Sequence, residues 1–460
     1  MDDLHLLTAA ELTAAYSRNE LSPVEVARAA LDRATRTAET LNAFVFVDEA
    51  SALDAARGSE RRWLEGRSLG ALDGVPVAPK DSMLVAGWPT RIASQTTSKQ
   101  PASEDTPYVA RLRAAGAVFI GKTTTPEYCW TGWTQSIVNG VTRNPWNLDR
   151  TVGGSSGGAG AALAGGIVPV ALGTDAGGSI RTPAALTGMV GFKPSTNRVP
   201  LHKLEGNSNL NSAGPLATSV ADAIAVFALM TGEAEKPLDG SASSPLAGLR
   251  VAFSSTMGYA RHVAGEIAAG LREAAAVLAG LGAHVAEDAP EIAWPIDTYN
   301  TIGWAEQAYN LREVVAARGS EMEPGLVEIV GIGQDITIAE YISAQQQRWA
   351  IDREMRSFLT GYDLLLTPSL PVTAFSANKI APDSDKVTGM NNWLPFSSIF
   401  NLTGQPALTL PFGFDAEGLP YGVQIVGRLG EDWNVLTAAR HLEVASIWRE
   451  ETRRRRKSLP

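Results

Sequence analysis

An α/β fold, one large domain with a mixed and mostly buried central sheet covered by helices on both faces, is predicted by three observations. From Leu72 onward, short β-branched runs alternate with helical stretches. Hydrophobic residues make up 45% of the 460 residues and charged residues 19%, a soluble globular balance with enough apolar mass for a sizeable core. No internal repeat or low-complexity linker divides the chain, so residues 1–460 read as a single domain.

The elements follow in order. Two amphipathic helices open the chain, each announced by a capping box: Thr8 with Glu11, and Ser22 with Pro23 at the first helical position and Glu25. Residues 1–70 supply these N-terminal helices. The next region, 71–240, is the glycine-rich core, with strands predicted over 75–77, 118–120, 167–172 and 189–192. Residues 157–173, rich in glycine and interrupted by Pro169, read as a buried helix entering a strand. Further strands are predicted over 249–253 and 363–367. Between 241 and 362 the character shifts to Ala- and Glu-rich helical patterns such as 265–281 and 338–359, a helical elaboration on the same core. Residues 363–460 return to the sheet, with strands over 407–414 and 421–426 and a final helix over 433–446.

Charge and cysteine content exclude several functions. The net charge of -10 is spread along the chain and argues against nucleic acid as a partner. The one basic run, 453–457, reads as a solvated helix end or tail without function. Cys129 is the only cysteine, which rules out an intrachain disulfide and a Cys-based zinc site; no metal and no cofactor are expected. The first residues lack the basic and apolar regions of a secretory leader, and nothing downstream resembles a stop-transfer span. A cytoplasmic protein without membrane contact is the expectation.

Chemistry concentrates in two glycine–serine patches, Gly153-Gly154-Ser155-Ser156-Gly157-Gly158 and Gly173-Thr174-Asp175-Ala176-Gly177-Gly178-Ser179-Ile180-Arg181. Glycines between a strand and a helix let backbone N–H groups converge on one concavity, which suits a phosphate or an oxyanion. Neither patch has the Gly-Lys-Ser/Thr ending of a P-loop or the spacing of a dinucleotide fingerprint, so the phosphate reading fails. A serine nucleophile needs a base. None of the five histidines, His5, His202, His262, His284 and His441, sits in a recognisable catalytic context. A buried lysine substitutes if desolvation keeps it neutral, and Lys80, at the end of an apolar run from Gly74, is the candidate. A lysine after a strand is ordinarily a surface residue, so the residues by themselves leave that assignment open.

The segment 153–192 resembles the amidase-signature family, in which Gly-Gly-Ser-Ser-Gly-Gly precedes Gly-Thr/Ser-Asp-x-Gly-Gly-Ser-Ile-Arg, and here the serines at 155 and 179 stand 24 positions apart, as in that family. Flanking pieces match along nearly the whole chain: Gly74-Val75-Pro76 with Lys80-Asp81, Gly121-Lys122-Thr123, Asn144-Pro145-Trp146, Gly191-Phe192-Lys193-Pro194, Gly214-Pro215, Leu366-Thr367-Pro368 and Asn401-Leu402-Thr403-Gly404-Gln405-Pro406-Ala407.

The resemblance implies Ser179 as the acylated nucleophile, Ser155 as a bridging serine after a cis peptide bond from Gly154, and Lys80 as the general base. It further implies an oxyanion hole from the N–H groups of Ala176, Gly177, Gly178 and Ser179, with Ser156, Asp175, Arg181 and Asp81 holding the loops in place. The Cys129-Trp130 segment, flanked by Tyr128 and Trp133, is implied as a wall on the acyl side of the substrate. Cys129 is set aside as a nucleophile because no histidine accompanies it and its neighbours are apolar. A further aromatic group stands at Trp393, Phe396 and Phe400. The implied reaction is hydrolysis of carboxamide C–N bonds, with esters and carbamates as further small-molecule substrates and activity rising toward alkaline pH as Lys80 sheds its proton. Glutamine-hydrolysing components of tRNA amidotransferases in this family usually carry Gln where this chain has Thr182, which favours a stand-alone hydrolase over a partner-dependent one. The alternative is a glutamine-hydrolysing or partner-dependent amidotransferase component, and a homodimer with a second copy of the chain is a further expectation.

Overall fold

Both capping boxes are formed. In the computed structural model, which describes residues 4–202, 209–235 and 244–460, helix α1 (Ala9–Ser17) starts at Thr8, whose Oγ1 accepts from Glu11 N while its own N–H donates to the Glu11 carboxylate. Helix α2 (Pro23–Arg36) repeats the motif with Ser22 and Glu25. The boundary expected between 240 and 241 lies outside the described residues.

Ten strands form one sheet: β1 (Pro76–Pro79), β2 (Val118–Phe119), β3 (Val170–Asp175), β4 (Val190–Lys193), β5 (Ser212–Ala217), β6 (Arg250–Phe253), β7 (His284–Glu287), β8 (Leu364–Pro368), β9 (Ala407–Phe414) and β10 (Pro420–Gly427). Their spatial order is β7-β6-β8-β10-β9-β4-β5-β3-β1-β2. Pairing is parallel at both ends (β7-β6-β8 and β3-β1-β2) and antiparallel through the middle, so the sheet is mixed. Along a strand successive side chains point to opposite faces. Thus Val170 and Leu172 of β3 enter one core while Ala171 between them enters another, and Val77 and Ala78 of β1 divide in the same way.

Helices cover both cores. Helix α2, α3 (Gly157–Ala164) and α4 (Arg181–Thr187) pack on one face, and α5 (Val220–Thr231) and α6 (Gly265–Gly280) on the other. Three long helices of the elaboration, α7 (Ile296–Arg318), α8 (Pro324–Asp335) and α9 (Ile338–Gly361), follow, and α7 and α8 share an apolar cluster with Trp130, Leu370 and Leu394. After β8 come the short α10 (Ile399–Leu402), then α11 (Asp432–Ala445) over the same core as α5 and α6, and α12 (Trp448–Arg456). No helix among the described residues is long and apolar enough to cross a membrane.

Four features depart from the sequence reading. Strand β5, not predicted, pairs along its whole length with β3 from Ser212↔Asp175 to Ala217↔Val170. Its sequence, Ser-Ala-Gly-Pro-Leu-Ala, has no β-branched residue and carries a proline, which argues against a central strand until the neighbouring ladder is known. Strand β7, His-Val-Ala-Glu, is a short edge strand, and Phe44–Val47 pairs with Gly121–Thr123 in a separate ribbon; neither was predicted. The basic run at 453–457 is a helix end, as expected, but only partly solvated: Arg454 and Lys457 are exposed and the other three arginines are engaged. Arg456 is buried and donates to the carbonyls of Leu163 (2.6 Å) and Ala164 (3.2 Å), Arg455 lies 4.2 Å over the Phe414 ring, and Arg453 pairs with Glu11 at 2.7 Å. A guanidinium thus caps the C-terminal carbonyls of α3, where the helix dipole favours a cation.

Candidate active site

The site lies where β1 and β3, adjacent and parallel, run out at their carboxyl ends. Their register pairs Pro79 with Leu172, so Lys80, the next residue, falls alongside the end of β3, and its N–H donates to the Leu172 carbonyl at 3.1 Å. Ladder and apolar run together carry the side chain inside: Lys80 is fully buried, and its Nζ donates to Ser155 Oγ at 2.6 Å and to Thr174 Oγ1 at 3.0 Å. The adjacent Asp81 turns away to Lys122 Nζ at 3.2 Å and to the N–H groups of Arg91 and Ala93. Burial raises the Asp81 pKa, and the Lys122 charge opposes that shift.

Ser155 follows a cis peptide bond from Gly154 and stands just ahead of α3. Ser156 ties the two glycine patches together: its N–H donates to the Ser179 carbonyl (3.1 Å) and its hydroxyl to the Thr174 carbonyl (3.3 Å). Gly158, in the first turn of α3, lies against the Thr124 backbone, where any side chain would collide. Ser155 and Ser179 line one cavity, yet no hydrogen bond joins their hydroxyls. Of the two contacts implied in series, Lys80 to Ser155 is made and Ser155 to Ser179 is not.

The loop from β3 to α4 is built around Asp175. Its carboxylate accepts from Gly178 N (2.8 Å), Ile180 N (3.1 Å), Arg181 Nε (3.0 Å) and Nη2 (2.9 Å), and Asn401 Nδ2 (2.9 Å). Arg181, itself 1% exposed, also donates to Gln424 Oε1 (2.9 Å) and Asn401 Oδ1 (2.7 Å). Burial pushes the Asp175 carboxyl upward, but the Arg181 charge and hydrogen bonds, with Lys193 and Asn401, hold it well below the usual carboxylate range. Gly178 has φ +122°, and Ser397 occupies the space a side chain would need.

The four adjacent amides expected to form an oxyanion hole do not share one environment. The Gly178 N–H is committed to Asp175, and the carbonyl of the same peptide unit, on Gly177, accepts from Ser397 Oγ at 2.9 Å. The N–H groups of Ala176, Gly177 and Ser179 have no acceptor among the described residues, and all three residues line the cavity. The Tyr299 phenol, from α7, sits over Gly177; burial and the Asp175 charge raise its pKa and keep it a donor.

The cavity holds about 230 Å³. Its lining includes Ile92, Tyr128, Cys129 and Trp130, then Trp304 and Leu311 of α7, and Met390 and Leu394. Trp133, Trp393, Phe396 and Phe400 are not among its lining residues; the Trp133 and Trp393 indoles donate to the carbonyls of Ala377 and Met390. Among the described residues lining the cavity, Glu306 is the one charged side chain. Sequence reasoning missed Thr174, Tyr299, Ser397 and Gln424. Thr174 lay in view inside the second patch, Asn401 was quoted in a motif without a role, and nothing local marked the others.

A family model described as Amidase matches residues 25–436. An acylamidase of Rhodococcus erythropolis is 34% identical over 464 residues, covering 97% of each chain. A glutamyl-tRNA(Gln) amidotransferase component of Chloroflexus aurantiacus is 33% identical over 491 residues, covering 97% of this chain and 98% of its own. Among solved structures, a bacterial aryl acylamidase of the amidase signature enzymes superposes with a TM-score of 0.88 at 27% identity over 99% of both chains.

Proposed function

The chain belongs to the amidase-signature family and is an amide hydrolase, and from that premise we propose that it acts without a partner, through an acyl-enzyme on Ser179, on uncharged amides with an apolar or aryl acyl group. The observation that carries this reading is the fully buried Lys80 amine, 2.6 Å from Ser155 Oγ, beneath a cavity that also holds Ser179. The reading requires the Ser179 hydroxyl to reach Ser155 once substrate is bound; catalytic hydrogen bonds are often long before then. Ser179 Oγ attacks the carbonyl carbon as its proton passes to Ser155, whose own proton passes to Lys80. The tetrahedral oxyanion rests on main-chain N–H groups, each worth roughly 3 kcal/mol at the transition state. Lys80 then returns a proton through Ser155 to the amine nitrogen, the C–N bond breaks, and water repeats the sequence on the acyl-enzyme.

Aromatic and aliphatic cavity walls support an apolar acyl group. Esters and carbamates present the same carbonyl to the same nucleophile, and both belong to the proposed substrate range. Glutamine fits less well: its α-carboxylate calls for a cation, and among the described residues none of the lining side chains is cationic, while Glu306 repels it. Thr182 points the same way.

The test offers the purified protein an aryl anilide, the matching ester and carbamate, and L-glutamine, with a fluorophosphonate probe to mark the reactive serine. Anilide turnover with labelling at Ser179 is the expected result. Absence of both removes the reading, and glutamine consumption that appears only with added partner proteins favours the amidotransferase alternative.

A further inference from the structure

We propose that Asn401 is a positioning residue for the oxyanion hole, setting the direction of the Ala176 N–H through the carbonyl of Asp175. The proposal rests on the reading of Ala176 as an oxyanion donor. A trans peptide unit is planar, with its C=O and N–H pointing opposite ways. Whatever holds a carbonyl therefore aims the N–H one residue on.

Three units of the loop are fixed in this manner. In the unit joining Gly177 to Gly178, Ser397 Oγ holds the carbonyl at 2.9 Å and the N–H is drawn back to Asp175 at 2.8 Å, so this unit faces away from the cavity. In the unit joining Gly178 to Ser179, the carbonyl accepts from Thr182 N at 2.7 Å, and the Ser179 N–H points the other way. In the unit joining Asp175 to Ala176, the carbonyl accepts from Asn401 Nδ2 at 2.9 Å. The Ala176 N–H is thereby turned from Asn401 and toward the cavity that Ala176 lines. The Ala176 carbonyl has no such anchor among the described residues, which leaves Ala176 and Ser179 as the two fixed donors.

Asn401 is suited to the task because it cannot move. It is fully buried on α10, its Nδ2 also donates to the Leu210 carbonyl (3.0 Å), and its Oδ1 accepts from Arg181 Nη2 (2.7 Å). It is not among the cavity-lining residues, so its effect passes through Asp175.

The experiment compares Asn401→Asp and Asn401→Ala with the wild-type enzyme. Asn401→Asp keeps the shape and the acceptor for Arg181 but loses the donor to the Asp175 carbonyl, and it sets a second carboxylate against Asp175 Oδ1, a repulsion that Asn401→Ala lacks. Three quantities are read: KM and kcat for an aryl anilide, Ki for the corresponding aryl trifluoromethyl ketone, which forms an oxyanion on the nucleophile, and the unfolding midpoint. Removal of an oxyanion donor lowers kcat by about 10²–10³-fold, so misaiming one is expected to lower it roughly 10- to 100-fold. KM should stay within about threefold, and Ki should rise by the same factor as kcat/KM falls. A fall in kcat with unchanged Ki overturns the proposal, as does unchanged activity per folded molecule, or failure of both variants to fold. Loss of the underlying reading looks different: the ketone would then bind Ser179→Ala as tightly as the wild type.

Discussion

Replacing Lys80 with methionine keeps the volume and apolar stem of a fully buried side chain and deletes the amine proposed to take and return the proton. The contacts to Ser155 Oγ at 2.6 Å and to Thr174 Oγ1 at 3.0 Å disappear with it. The two hydroxyls left unpaired cost about 1–3 kcal/mol each, partly offset because an amine no longer has to be desolvated. The fold therefore loses a few kcal/mol at most. The barrier loses more, since a positioned acid–base group contributes about 10²–10⁴ in rate, roughly 3–5 kcal/mol. That figure applies in full to an amide, whose amine departs only once protonated. An ester leaves as an alkoxide or phenoxide and needs the returned proton less, so it should suffer about tenfold less. The assay measures turnover of a paired anilide and phenyl ester by Lys80→Met, normalised to folded protein from a thermal melt. Anilide turnover within tenfold of the wild type would refute Lys80 as the base. Equal losses on the two substrates would refute the returned proton as the basis of amide cleavage.

Three further outcomes follow from buried charges. Asp175→Asn leaves Arg181 buried without its countercharge, so stability should fall by about 3–5 kcal/mol. Because the carboxyl is held below its usual range, its contribution is present above about pH 4 and lost as pH falls further, so the difference from wild type should be flat from pH 5 to 8 in urea unfolding; a difference under 1 kcal/mol would contradict the network's role. Lys193 is buried, and burial, followed by the Arg181 charge, brings its pKa down to about 7. Between about pH 7 and 10 the unfolded chain holds this proton and the folded one does not, so stability should rise with pH there and Lys193→Met should flatten the slope; parallel slopes would sink that assignment. Arg456→Met removes both charge-assisted bonds to the end of α3 and should lower the unfolding midpoint by the equivalent of about 1.5–3 kcal/mol, and an unchanged midpoint would return the basic run to a solvated tail.

What could be read from the sequence was local. The capping boxes at Thr8 and Ser22, and strand β9, declare themselves through neighbours a few residues apart, and the structure places them accordingly. Strand β5 did not, because Pro215 and four small residues become a strand only when β3 supplies the ladder. The site divides along the same line. Lys80, Ser155 and Ser179 stand in motifs dense enough to identify. The partners that orient the loop, Ser397, Asn401 and Gln424, lie more than 200 residues from Asp175 and Arg181, and no periodicity or spacing encodes such a pairing. The commitment of the Gly178 N–H was equally out of reach: the motif gives four adjacent amides, and only the carboxylate behind the loop decides which of them face the cavity.

That division of the amides gives the buried charges their purpose. An Asp–Arg pair with no exposure is weak evidence for stability, since well-packed apolar residues often serve as well. Its value here is directional. Asp175 gathers the N–H groups of Gly178 and Ile180 onto the far side of the loop, and Arg181 neutralises the carboxylate that does so. Among the described residues, the cavity therefore meets peptide dipoles and apolar walls rather than a cationic lining side chain. Dipoles of this kind interact modestly with a neutral carbonyl and strongly with the alkoxide it becomes, so their contribution falls mainly on the transition state, where binding energy accelerates chemistry. A cationic side chain in the same place would grip any anionic ground state, including free carboxylate product, as firmly as the intermediate. Keeping the cation behind the loop should spare the enzyme inhibition by its own acid product, and the Asn401 carboxamide lets that hidden pair steer a donor it never touches.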